Sequence, residues 1–175
     1  DQKRYDTQVY KSHLQSYVDR IQKGGGKPII VSSVTRRSFD ENGRIVCNLV
    51  RNEKYSYKAT LTDYAKAAEA LARELNLPFL DLHRVSIAHH NEIGREESMT
   101  YNFKEGDNTH FNRKGAEAIT DLLIDELKNT IPELVGYLKT SKPADSIPAK
   151  PVESKYDLIR KAHDENAEKF FENVL

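Results

Sequence analysis

The chain has 175 residues, 38% of them apolar and 31% charged, with 27 basic residues balanced by 27 acidic ones. That length fits one domain with its own core, and the balanced charge excludes the broad basic field of a protein built to hold nucleic acid or an anionic membrane surface. A single cysteine, Cys47, excludes an internal disulfide and any CxxC metal or redox site, and no apolar run reaches the length of a membrane span.

The first predicted element is a helix from about Thr7 to Lys23, where Val9, Tyr10, Leu14, Tyr17, Val18 and Ile21 recur at helical spacing before the "GGG" at 24–26. "KPIIVSSV" follows, with Ile29, Ile30, Val31 and Val34 forming the short β-branched run of a buried parallel strand. "DENGRIVCNLV" then reads as a turn at Asn42-Gly43 leading into a short extended piece. From Thr60 to Asn76 the spacing of Leu61, Tyr64, Ala68, Leu71 and Leu75 predicts a second helix, capped by Thr60 or Thr62 and stopped before Pro78.

"PFLDL" supplies a second strand at Phe79–Leu82, and Val85 to Ile93 a helical turn or two. After the loop "EGDNTHF", Ala118, Ile119, Leu122, Leu123, Ile124 and Leu127 mark an amphipathic helix over Lys114 to Asn129. The alternation implies α/β layering with parallel strands and right-handed crossovers. Two strands are too few to bury such a sheet on both faces, so the pattern reads as the second half of a doubly wound domain, with strands expected before Asp1.

Residues 1–139 form the predicted domain, 140–154 a Pro-rich linker, and 155–175 a tail helix carrying Leu158, Ile159, Ala162, Phe170, Phe171 and Val174. The chain opens on "DQKRYD" without a methionine, which suggests a trimmed or excised start. A further domain before Asp1 or after Leu175 is therefore an open expectation.

The candidate chemistry lies in "GDNTHFNRKGAEAI", residues 106–119, where Asp107 stands three residues before His110. The structural alternative is an ordinary helix entrance, with Asn108 or Thr109 capping a local turn and Asn112 capping the last helix. Position favours the chemical reading, because loops at the carboxyl ends of parallel strands carry ligands and catalytic groups. A carboxylate beside an imidazole selects one tautomer and stabilises the cation, as a base for a serine hydroxyl requires. Arg36 and Arg37 are candidate substrate-binding residues whose forks match carboxylates, against the alternative of surface arginines paired with Asp40 or Glu41. His83, His89 and His90 carry no HExxH or matching carboxylate pattern, so a solvated helix face is expected rather than a metal centre, and no cofactor is expected.

Two stretches resemble a known family. "GDNTHFNRKGAEAI" is similar to the last block of the SGNH (GDSL-type) hydrolases of the rhamnogalacturonan acetylesterase-like group, with its Asp-x-x-His, Phe-Asn and Gly-Ala helix start. "VTRRSFDENGRIV", residues 34–46, resembles that group's strand-end segment, although Ser32-Ser33 stands where the group more often has Thr-Pro. The spacing of "YKSHLQSYVDRIQKGGGKPIIV" and "YAKAAEALARELNLPFLDL" is also similar, so the resemblance covers roughly residues 1–128.

The resemblance implies a flavodoxin-like three-layer α/β/α fold and a secreted or periplasmic serine esterase acting in pectin degradation. His110 would be the general base and Asp107 its orienting partner. The family's nucleophilic serine, oxyanion glycine and asparagine have no counterpart here, since Ser32, Ser33 and Ser98 stand in no Gly-Asp-Ser or Gly-x-Ser-x-Gly turn. Asp1 resembles the final residue of the family's Gly-x-Asn-Asp motif. The chain alone is thus expected to hydrolyse no acetyl ester. The expected partner is an acetylated polysaccharide such as rhamnogalacturonan, or a small ester. The alternatives are a degenerate hydrolase module that binds glycan or protein without catalysis, and an esterase for simple alkyl or lipid esters.

Overall fold

A computed structural model describes residues 6–47, 51–52, 55–56 and 59–138. The Pro-rich segment 140–154 and the tail 155–175, with its predicted helix, lie outside the described residues.

Helix α1 spans Thr7–Lys23, and its start is capped by Asp6, whose Oδ1 accepts from the Gln8 and Val9 amides at 3.0 and 2.9 Å. Arg20 and Lys23 sit in the last turn, where cations complement the helix dipole. Tyr10, Leu14 and Val18 make its inner face. Tyr17 and Ile21, predicted for the same stripe, are instead 61% and 45% exposed. The stripe that meets α2 is narrower than the apolar spacing suggested.

Strand β1, Ile30–Val31, is followed by a turn in which the Asp40 carboxylate accepts from the amides of Asn42 and Arg44, both at 2.9 Å. The turn lies at Asn42-Gly43 as predicted, and Phe39 and Ile45 form an antiparallel bridge across it. A second short pair follows, β2 at Arg51–Asn52 running antiparallel to β3 at Tyr55–Ser56.

Helix α2, Leu61–Glu74, begins in a reciprocal capping box: Thr60 Oγ1 accepts from Asp63 N at 3.1 Å, and the Asp63 carboxylate accepts from Thr60 N at 2.9 Å. Thr62, the other candidate cap, donates instead to the Cys47 carbonyl at 3.1 Å. Ala68, Leu71 and Ala72 of this helix pack with Val18 and Ile30 into the main core cluster. An edge-to-face contact between Tyr10 and Tyr64, 5.0 Å between ring centres, extends it.

Strand β4, Phe79–Leu80, lies parallel to β1, with Ile30 opposite Phe79 and Val31 opposite Leu80. A β1–α2–β4 crossover with a parallel pair is the α/β pattern that the alternation predicted. Burial alternates along it, however. Ile30 and Leu80 are buried while Val31 is 41% exposed.

Helix α3, Leu82–Met99, is much longer than the predicted turn or two. Its buried face is polar, carrying His83, Ser86, His90 and Ser98, and therefore gives little hydrophobic periodicity. Gly94, at φ 78° and ψ 175°, breaks it into two stretches, a conformation open to glycine because it lacks a Cβ. Helix α4, Arg113–Thr130, is capped by Asn112, whose Oδ1 accepts from Gly115 N at 3.0 Å. Its predicted apolar stripe is half-buried. A 3-10 turn, Pro132–Tyr137, follows, with Ile131 buried at the junction.

Candidate active site

The loop between α3 and α4 is built by three asparagines. Asn112 holds its base, donating through Nδ2 to the Thr100 and Asn102 carbonyls at 2.7 and 3.1 Å while its amide meets the Tyr101 carbonyl at 2.9 Å. Asn102 and Phe111 form an antiparallel bridge that closes the loop. Asn108 reaches the segment after β1, donating to Ser38 Oγ at 2.7 Å. Gly115 lets α4 approach: a Cβ there would lie 2.7 Å from Tyr101 Cβ and from Phe111 Cδ1.

Within this frame Asp107 and His110 meet. Asp107 Oδ1 accepts from the amides of Thr109 and His110 at 3.0 and 2.9 Å, and Oδ2 lies 2.9 Å from His110 Nδ1. The backbone bond from His110 and the bond from its ring lower the Asp107 carboxyl to a pKa of about 2. The carboxylate accepts, so Nδ1 carries the hydrogen and Nε2 is left as the ring's proton acceptor. The imidazole is 75% exposed while the Asp107 side chain is only 13% exposed, the arrangement of a covered acid beneath an accessible ring. Asp107 is thus both the cap of the local turn and the ring's partner. The structural alternative assigned that cap to Asn108 or Thr109.

Arg37 is placed differently from the sequence expectation of a surface or substrate-facing arginine. It is completely buried, and the loop takes two of its three side-chain nitrogens: Nε by Asn102 Oδ1 at 2.7 Å, Nη2 by the carbonyls of His110 and Asp107 at 2.6 and 3.2 Å. Burial lowers its pKa and the nearby Asp107 charge opposes that shift. Arg36 is half-buried and borders a cavity of about 10 Å³ with Thr35, Cys47, Leu61 and His83. An open cleft of about 590 Å³ lies beside the loop, between Phe39, Arg95, Met99 and Lys104.

The histidines of α3 do not form the solvated face expected. His83 and His90 are buried. His83 places Nε2 3.0 Å from Thr62 Oγ1 and Nδ1 3.2 Å from the Ser33 carbonyl, and burial lowers its pKa. His90 pairs Nδ1 with Ser98 Oγ at 3.0 Å, and burial, then the charges of His89 and Arg37, lowers it to about 4. These are neutral rings inside the protein. Ser32 and Ser98 are buried too, with their hydroxyls bonded to Asp81 and His90. Their surroundings are those of structural hydroxyls.

The chain is 34% identical to the rhamnogalacturonan acetylesterase RhgT of Bacillus subtilis, in an alignment covering 73% of this chain and 56% of that protein. The chain is thus similar in sequence to a rhamnogalacturonan acetylesterase, the group that its two motifs resemble. It spans about half the length of that curated relative, 56%. The crystal structure of Bacillus subtilis protein YxiM matches the chain with a TM-score of 0.56 and 24% identity, over 71% of this chain and 32% of that one. That likeness shows the α/β fold with its parallel sheet. No protein-family model matches the chain.

Asp107, His110, Phe111, Asn112 and Gly115 all lie in one of the two motifs singled out from the sequence, residues 106–119. Sequence reasoning gave Asp107 and His110 a chemical role and Asn112 the cap of the last helix, and left Phe111 and Gly115 as pattern. It missed Asn102 altogether. The signal available was weak, an asparagine beside Tyr101 with no periodicity around it, and only the folded loop shows what its side chain holds.

Proposed function

We propose that the chain supplies the acid–histidine pair of a serine-type carbohydrate esterase that removes acetyl groups from a pectic polysaccharide such as rhamnogalacturonan, with the nucleophilic serine provided by residues outside this chain. The observation that carries the proposal is the 2.9 Å approach of His110 Nδ1 to Asp107 Oδ2 beneath an exposed ring. The named activity of RhgT supports the substrate class.

In this reading His110 Nε2 takes the serine proton as Oγ bonds to the acetyl carbonyl carbon, whose π electrons move to oxygen. The tetrahedral intermediate then collapses, the bond to the sugar oxygen breaks, and the imidazolium returns the proton to that leaving oxygen. Water next attacks the acetyl-serine, again losing its proton to Nε2, and collapse frees acetate and regenerates the serine. Asp107 keeps Nδ1 protonated throughout and stabilises the cation that forms twice per turnover. Proton transfer of this kind contributes roughly 10²- to 10⁴-fold in rate.

The test is acetate release from acetylated rhamnogalacturonan by the complete protein, with His110→Ala and Asp107→Asn. A fall in kcat of about 10² or more for His110→Ala is expected. Full turnover in that variant would refute the reading. The 175-residue chain by itself should not cleave p-nitrophenyl acetate faster than its own His110→Ala form.

A further inference from the structure

We infer that Arg37 is a positioning residue for the Asp107–His110 pair: its buried guanidinium binds main-chain carbonyls at both ends of the Asp-x-x-His turn and so sets how the carboxylate meets the imidazole. The inference rests on the reading of that pair as the proton relay. Arg37 lies on the segment after β1, far from the loop in sequence, yet it touches four of the loop's five residues from 107 to 111. Its Nη2 reaches the carbonyls of Asp107 and His110 at 3.2 and 2.6 Å, its own amide donates to the Asn108 carbonyl at 2.9 Å, and its Cζ lies 4.1 Å from the Phe111 ring centre. Asn102 Oδ1, 2.7 Å from Nε, fixes the fork from the other side.

The orientation of Asp107 depends on that turn. Its Oδ1 is aimed by the amides of Thr109 and His110, both inside the span between the two gripped carbonyls, so releasing those carbonyls loosens the turn that carries the amides. A side chain needed only to fill space would be apolar. Here a buried cation is kept, with Nη1 left without a hydrogen-bond partner among the described residues, an arrangement that costs stability unless the remaining bonds are well made. Lysine cannot replace it, because a single ammonium has no second donor set at a fixed angle for Asn102.

The readout is the tautomer of His110, measured from its ring ¹⁵N shifts at pH 9 in the 175-residue chain, with thermal unfolding recorded on each variant. Wild type should hold the Nδ1–H form, and Asp107→Asn should mark the released ring. In Arg37→Lys and Arg37→Met the ratio of Nδ1–H to Nε2–H should fall about tenfold toward that reference, the loss of one charge-assisted hydrogen bond's preference. Arg37→Lys separates geometry from charge, since it keeps the cation near Asp107. Folded Arg37→Lys and Arg37→Met chains with the wild-type ratio would overturn the inference. Should neither fold, Asn102→Ala releases the Nε anchor alone and must also lower the ratio; an unchanged ratio there overturns it as well. No turnover enters this measurement, so full activity in His110→Ala would defeat the functional reading while leaving the role of Arg37 to be decided by the ring.

Discussion

Replacing Gly115 by alanine tests the contact that seats α4 against the candidate site. The added Cβ would stand 2.7 Å from Tyr101 Cβ and Phe111 Cδ1 and 3.0 Å from the Tyr101 carbonyl oxygen. Ordinary carbon contacts are roughly 3.5–4.0 Å, so the helix must retreat by about 1 Å, since turning the Phe111 ring would relieve its own contact and leave the one to Tyr101 Cβ. Two effects oppose each other. Alanine in a helix is favoured over glycine by up to about 1 kcal/mol, and overpacking costs about 1–3 kcal/mol. The Tyr101 carbonyl cannot yield freely, because it accepts from Asn112 N at 2.9 Å and Asn112 also caps the helix. Overpacking should therefore win by about 1–2 kcal/mol. Urea denaturation followed by circular dichroism measures this, and the thermal midpoint should fall by about 2–8 °C. A Gly115→Ala chain as stable as wild type, or more so, would refute the argument that α4 needs a bare backbone there.

The Asp107 carboxyl titrates at about 2 in the fold against an ordinary 3.8, so it stabilises the protein above the ordinary value and that contribution is lost as pH falls from 3.8 toward 2. The stability difference between wild type and Asp107→Asn should accordingly shrink as pH falls across that window; a difference that is flat from pH 2 to 5 would contradict it. Ser86→Ala addresses the polar face of α3: Ser86 Oγ accepts from Thr35 N at 3.0 Å and donates to the His83 carbonyl at 3.0 Å, so its loss strands a buried amide. Destabilisation of about 1–3 kcal/mol with faster exchange of the Thr35 amide is expected, and an unchanged Thr35 exchange rate would rule the contact out.

Where an element's stability is written in local chemistry, it could be read from the chain. Helix α1 spans Thr7–Lys23 as its apolar spacing and the glycines beyond it predicted, and of the two candidate caps of α2 the structure selects Thr60, where a threonine three residues before an aspartate closes a capping box. The Asn-Gly turn and the Asn112 cap are of the same kind. Helix α3 was mostly missed. Its inner face is lined by histidine and serine, whose burial depends on partners such as Thr62, Ser33 and Thr35 brought from other elements.

The same division runs through the candidate site. Asp107 and His110 are three residues apart, so a single turn brings the carboxylate to Nδ1, and the pairing was legible in the order of residues. The place of Arg37 was not. Its residue type and its neighbours Arg36, Ser38 and Phe39 are those of a polar surface segment, and a charged side chain goes inside only when distant groups complete its hydrogen bonds. Those groups, Asn102 and the carbonyls of Asp107 and His110, are about 65 to 73 positions away in the chain. By itself the sequence determined helices α1, α2 and α4, the turn and the acid–histidine pair, because each follows from residues within one or two turns of one another. Only the tertiary structure decided which arginine is buried and what it holds, because the cost of burying a charge is met by contacts that exist after the chain has folded.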